Sequence, residues 1–160
     1  MAACAPAFGD TVVVPSSQAT AAGNVAIPVG SKASRFQEVV GSGQFPGPIV
    51  ITGIRVRSAP GTGPVSFSVA SYKITLSTTQ AYPNTNNGHT LPSLTYANNV
   101  GPDATVVYNA SATGSSPGCA GAGPCPFDLV IPFATPFSYD PTKGRLLVDV
   151  VSSATSGTPA

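Results

Sequence analysis

Seventeen glycines and seventeen prolines are scattered through 160 residues, and between them no helical period of apolar residues survives for more than a turn or two. Alternation does survive. Residues 65–69 (Val-Ser-Phe-Ser-Val) and 72–77 (Tyr-Lys-Ile-Thr-Leu-Ser) place apolar side chains at every second position, which is the period of a half-buried strand. Residues 35–40, 49–57, 105–108 and 127–133 read the same way, with Phe127, Leu129, Ile131 and Phe133 on one face. Gly53 interrupts the 49–57 run and predicts a bulge. Residues 145–151 are apolar on both faces, as in a strand with neighbours on each side. Shorter pieces at 11–14 and 27–29 read as marginal or edge strands. Many short strands between Gly/Pro turns predict an all-β, antiparallel two-sheet β-sandwich, with a jelly roll as one form of it.

Length fits one domain with a real core. The reading divides it into residues 1–9 as a signal-peptide remnant or disordered tail, 10–151 as the β-sandwich, and 152–160 as a flexible tail. Charged residues are 8 %, against about 25 % in ordinary soluble domains. With 42 % hydrophobic residues this is a folded chain with a Ser/Thr/Asn surface, not a disordered one. A net charge of +1 without a basic stripe excludes an electrostatic footprint for nucleic acid. No apolar run reaches the length of a membrane span.

Cys119 and Cys125 lie in a Gly/Pro/Ala stretch where a disulfide is geometrically easy. A metal site would need further ligands, and no histidine or second cysteine pair lies nearby. The disulfide reading implies an oxidising compartment, hence a secreted or extracellular protein, associated with the cell surface in one version. Cys4 has three readings: part of a leader remnant, the lipidated cysteine of a lipoprotein box, or a residue of a tag-like tail.

Chemistry is sparse. His89 is the single histidine, and it reads as a solvated loop residue. Glu38, Asp128, Asp140 and Asp149 are the carboxylates that could pair for glycoside hydrolysis. Asp128 and Asp149 sit within strand patterns, which favours solvent or a partner among Arg35, Arg55 and Arg145. Residues 81–103 form a long irregular stretch rich in turn formers. Asn84, Asn86, Asn98, Asn99 and Asp103 would be its calcium ligands, but Asp103 is the one charged member, so Asn-stabilised turns are the favoured reading and no cofactor is expected. Tyr82 and Tyr96 flank the stretch, and with Asn86, Asn87, His89, Asn98, Asn99 and Asp103 they make the candidate ligand site, a platform for sugar. The lack of tryptophan weakens it.

Several segments carry a resemblance in their order along the chain: Asp10-Thr11-Val12-Val13-Val14-Pro15, Arg35-Phe36-Gln37-Glu38-Val39-Val40, Ile51-Thr52-Gly53-Ile54-Arg55-Val56-Arg57, Tyr96-Ala97-Asn98-Asn99-Val100-Gly101, and Gly144-Arg145-Leu146-Leu147-Val148-Asp149-Val150. Together they resemble a family of bacterial exported proteins that often end in a PEP-CTERM sorting signal. The resemblance implies export, an extracellular β-sandwich and an exopolysaccharide-associated role, with no catalytic residues to carry over. Such proteins continue into further strands, a Pro-Glu-Pro motif, a membrane helix and a basic tail, so the resemblance implies a C-terminally truncated member or a variant that closes its sheet differently.

The expected function is a non-catalytic structural module of the extracellular matrix, partnered by polysaccharide or matrix proteins. A carbohydrate-binding module is the alternative, and a glycoside or ester hydrolase a distant third. One further expectation concerns the strand at 145–151. With only a small polar tail after it, its outer edge would lie open and recruit a second copy of the chain unless an earlier segment pairs there.

Overall fold

The computed structural model describes residues 10–21, 33–83 and 92–158. Within them the chain forms strands β1 (Ser34–Val40), β2 (Ile49–Val56), β3 (Val65–Thr79), β4 (Thr105–Ser116), β5 (Leu129–Tyr139), β6 (Arg145–Ser152) and β7 (Thr155–Thr158), with short 3-10 turns at Ser16–Gln18, Ser42–Gln44 and Tyr96–Asn99. Every pairing is antiparallel. The larger sheet runs β1-β6-β3-β4, with β7 continuing along β3, and the smaller is β2-β5. The all-β two-sheet expectation is met.

This strand order has a recognisable logic. An eight-stranded jelly roll places its first, eighth, third and sixth strands in one sheet, and its second, seventh, fourth and fifth in the other. Here β1-β6-β3-β4 and β2-β5 follow that order, without the fourth and fifth strands among the described residues. Their place in the chain is taken by residues 80–104, among whose described members no strand occurs. A four-stranded path therefore faces a two-stranded sheet.

The core lies between the sheets. Val69, Tyr72, Ile74 and Leu76 of β3, Val107 and Ala112 of β4, and Leu146 and Val150 of β6 meet Phe137 and Tyr139 of β5. Ile49, Ile51, Ile54, Ile131 and Phe133 pack against them. Phe45 meets Tyr139 edge to face, with centroids 4.9 Å apart, and the Tyr139 hydroxyl donates to the Gly144 carbonyl at 2.8 Å, closing the β5–β6 turn. The register slip at Ile51/Gly53 is the bulge that Gly53 predicts.

Three expectations change. First, β6 is not an open edge: β1 pairs along it from Ser34↔Ser152 to Val40↔Leu146, and β3 flanks the other side. The covering strand comes from more than a hundred residues earlier, a non-local pairing that no local pattern reveals. Second, residues 155–158, expected within the tail, pair with Ser66–Val69 as β7. Ser153 donates its amide to the Ser71 carbonyl and its Oγ accepts from the Ser71 amide, so β7 prolongs β6 across a short irregularity. Third, β4 runs to Ser116, well beyond the strand expected at 105–108. Its inward positions there are Ala112, Gly114 and Ser116, too small to raise a hydrophobic signal. The 11–14 piece pairs with no strand, and Val12 and Val14 are exposed. The 27–29 piece, residues 1–9 and Cys4 lie outside the described residues.

Candidate functional site

The described part of the Asn-rich stretch folds over the outer face of the larger sheet. On that face three cross-strand rows stand on β1, β6 and β3: Arg35–Val151–Lys73, Gln37–Asp149–Thr75 and Val39–Leu147–Ser77. Leu147 is 0 % exposed although it stands on this outer face, and residues 92–103 bond to Gln37 and Ser77 around it. Polar bonds hold this cover. Asp103 accepts from the Thr78 amide at 2.7 Å and from the Thr78 hydroxyl at 2.6 Å. The Gly101 amide donates to Ser77 Oγ at 3.1 Å, and a Cβ at Gly101 would run into the Thr78 carbonyl. Buried Asn99 accepts from the Ser93 amide and donates to Gln37 Oε1 and the Ser93 carbonyl. Asn98 donates to Ser93 Oγ at 3.3 Å. Asn98, Asn99 and Asp103 are thus brought together by turn and clamp bonds, and the oxygens of Asp103 that would meet a cation already accept from Thr78.

The two tyrosines are not brought together. Tyr96 lies beside the end of β6 that pairs with Arg35, and Tyr82 beside Arg145 at its start, about 20 Å away at the rise of a strand. Each ring has an arginine on one face. Arg35 stacks over Tyr96 at 4.8 Å and Arg145 over Tyr82 at 3.3 Å from the centroid. The Tyr96 hydroxyl donates to the Arg35 carbonyl of β1, the last strand of the described sheet. Asn84, Asn86, Asn87 and His89 lie outside the described residues.

The carboxylates are dispersed. Asp149 is held by Arg35 through a two-pronged pair, Nε to Oδ1 at 3.0 Å and Nη2 to Oδ2 at 2.6 Å, the arrangement its strand position suggests. The hydrogen bond to Asp149 raises the Arg35 pKa, against the opposing effect of burial. Asp140 accepts from the hydroxyl and amide of Thr142, which hold its pKa below the usual carboxylate value. No group of three or more His, Cys, Asp or Glu able to hold a metal occurs among the described residues.

Asp128 differs. Cys119 and Cys125 are joined in a disulfide, with Cα atoms 5.8 Å apart, and Cys119 bridges to Thr62, so the β4–β5 connection is tied down. Beneath it buried Ser58 donates to Ser116 Oγ at 3.1 Å, and Ser116 donates to Asp128 Oδ2 at 2.7 Å. Asp128 Oδ1 is buried and has no hydrogen-bond partner. Asp128 lines an open groove of about 510 Å³ beside β4 and the start of β5. Ser66, Phe67, Thr113, Ser115, Leu129 and Val130 complete its lining. Gly114, opposite Phe67 across the β3–β4 ladder, leaves room for the ring, because a Cβ there would strike it. Sequence reasoning passed over this groove. Its one legible signal is the small-residue run 110–116, which resembles loop composition.

No family model, curated protein or solved structure matches the chain. No helix among the described residues is long and apolar enough to cross a membrane.

Proposed function

We propose that this protein is a non-catalytic, extracellular β-sandwich module that acts by contact with matrix polymers. The observation that carries the reading is the use made of its aspartates: Asp103 clamps a loop, Asp149 pairs with Arg35, Asp140 caps a turn and Asp128 holds Ser116. These groups stabilise a scaffold, and acid–base catalysis needs a carboxylate free to exchange protons with substrate. The disulfide supports an oxidising location. The resemblance to exported PEP-CTERM-type proteins supports attachment to an exopolysaccharide matrix. Incubation of the oxidised protein with extracellular polysaccharide tests the reading. Co-sedimentation without release of reducing ends or free acid is the expected result. Turnover that disappears with Glu38→Gln or Asp128→Asn would overturn it.

A further inference from the structure

We infer that Asn109 is the acceptor for an N-linked glycan. The inference rests on the extracellular reading and adds a covalent modification site to it. Residues 109–111 read Asn-Ala-Ser, the one Asn-x-Ser/Thr triplet that the chain's seven asparagines begin. Such a triplet offers an N-glycosyltransferase an amide to modify and a hydroxyl two residues on to recognise, and it is used where it reaches the surface of an exported protein.

The fold gives the triplet that setting. Asn109, Ala110 and Ser111 are all exposed, on the last strand of the β1-β6-β3-β4 path. Asn109 pairs with Lys73, which is exposed as well, so the amide stands on the open part of the outer sheet face. Neither the Asn109 amide nor the Ser111 hydroxyl has a hydrogen-bond partner among the described residues, whereas Asn98 bonds to Ser93 and Asn99 to Ser93 and Gln37. The ladder is also interrupted here. Val69 pairs with Ala112 and Tyr72 with Ala110, so Ser111 lies opposite a bulge, and its carbonyl accepts from the Tyr108 hydroxyl at 2.6 Å. A segment at the end of a sheet and beside a bulge opens at lower cost than one inside a regular ladder, which suits entry into an enzyme's acceptor site. A glycan at this place would also serve the protein. With 8 % charged residues and a net charge of +1, little charge keeps copies of the chain apart, and a bulky hydrated group beside a terminal strand opposes pairing along it.

The donor is a sugar activated as a glycosyl diphosphate, carried on a nucleotide or a polyprenol. The Asn109 amide nitrogen bonds to the anomeric carbon. The bond from that carbon to the diphosphate oxygen breaks, its electron pair leaves with the diphosphate, and the amide gives up one proton to a base of the transferase. No oxidant or reductant takes part.

Mass spectrometry of the protein as its own cells secrete it tests the site. After reduction and alkylation, cleavage before aspartates yields the 103–127 peptide, which holds Asn109 and no other asparagine. Electron-transfer fragmentation, which keeps a sugar on its residue, should place a glycan mass on Asn109. Asn109→Gln and Ser111→Ala should each abolish it and leave the melting temperature unchanged, since both positions are exposed. An unmodified 103–127 peptide from secreted protein overturns the inference and leaves the matrix-module reading standing, because co-sedimentation with polysaccharide is measured apart from it. A sugar on a serine or threonine of the peptide in place of Asn109, or one on Asn109 that persists in Ser111→Ala, also overturns it. Protein that stays inside the cell without a glycan overturns the inference and the extracellular reading together.

Discussion

Leu147→Ala separates two pictures of the outer sheet face. Leu147 is fully buried, between Val39 and Ser77 in its row, and its cover is the 92–103 segment, not the second sheet. Were that segment loosely attached, the side chain would face water for much of the time and truncation would cost only a few tenths of a kcal/mol. With the cover held by Asp103, Gly101 and Asn99, truncation removes a fully desolvated side chain and leaves a cavity. Such changes cost about 2–5 kcal/mol, and a site enclosed by a sheet on one side and a short loop on the other relaxes enough to place the value near ~3. That corresponds to a drop in Tm of about 6–12 °C for a chain of this size. Urea unfolding followed by circular dichroism gives the free energy. Asp103→Ala, which releases the clamp on Thr78, should be less than additive with Leu147→Ala, by at least about 0.5 kcal/mol. A loss under about 1 kcal/mol for Leu147→Ala, or strict additivity with Asp103→Ala, would refute the claim that this loop forms a second small core.

Two further outcomes follow from the core and the disulfide. Alkylation before and after reduction should show Cys119 and Cys125 masked until a reductant is added, and Cys119→Ser with Cys125→Ser should cost about 2 kcal/mol in chemical unfolding, the closure entropy of so short a loop. Burial pushes the Tyr72 pKa up to about 12, so the unfolded chain ionises first; stability is whole below pH 10 and falls as pH rises from 10 toward 12, by about 2–3 kcal/mol. Tyr139, also raised by burial, adds to the same loss, so Tyr72→Phe should reduce the alkaline slope measured by urea titration without removing it.

Local pattern was enough for the strands whose inward side chains are large. Val69, Ile74 and Leu76 announce β3, and Leu129, Ile131 and Phe133 announce β5, because burying bulky side chains on one face requires period-two alternation. The bulge at Gly53 and the Cys119–Cys125 bond were legible for the same local reason: a glycine inside a strand, and two thiols across a short flexible loop. The clamp roles of Asn99 and Asp103 were half legible. Their composition marks turns, but their partners Gln37 and Thr78 stand on strands far away in sequence.

What only the tertiary structure decided is which segments meet. The pairing of β1 with β6 turned an apparent open edge into the middle of a sheet, and it depends on residues 34–40 and 146–152 being brought together by the whole topology. The groove at Asp128 depends likewise on which segments meet: residues of β3, β4 and the start of β5 line it, and the small side chains at 112, 114 and 116 are invisible to hydrophobicity. Periodicity reports which face of a strand is buried. It carries no information on the neighbour that buries it, because apolar contact is non-directional and many partners satisfy it equally until the chain as a whole has closed.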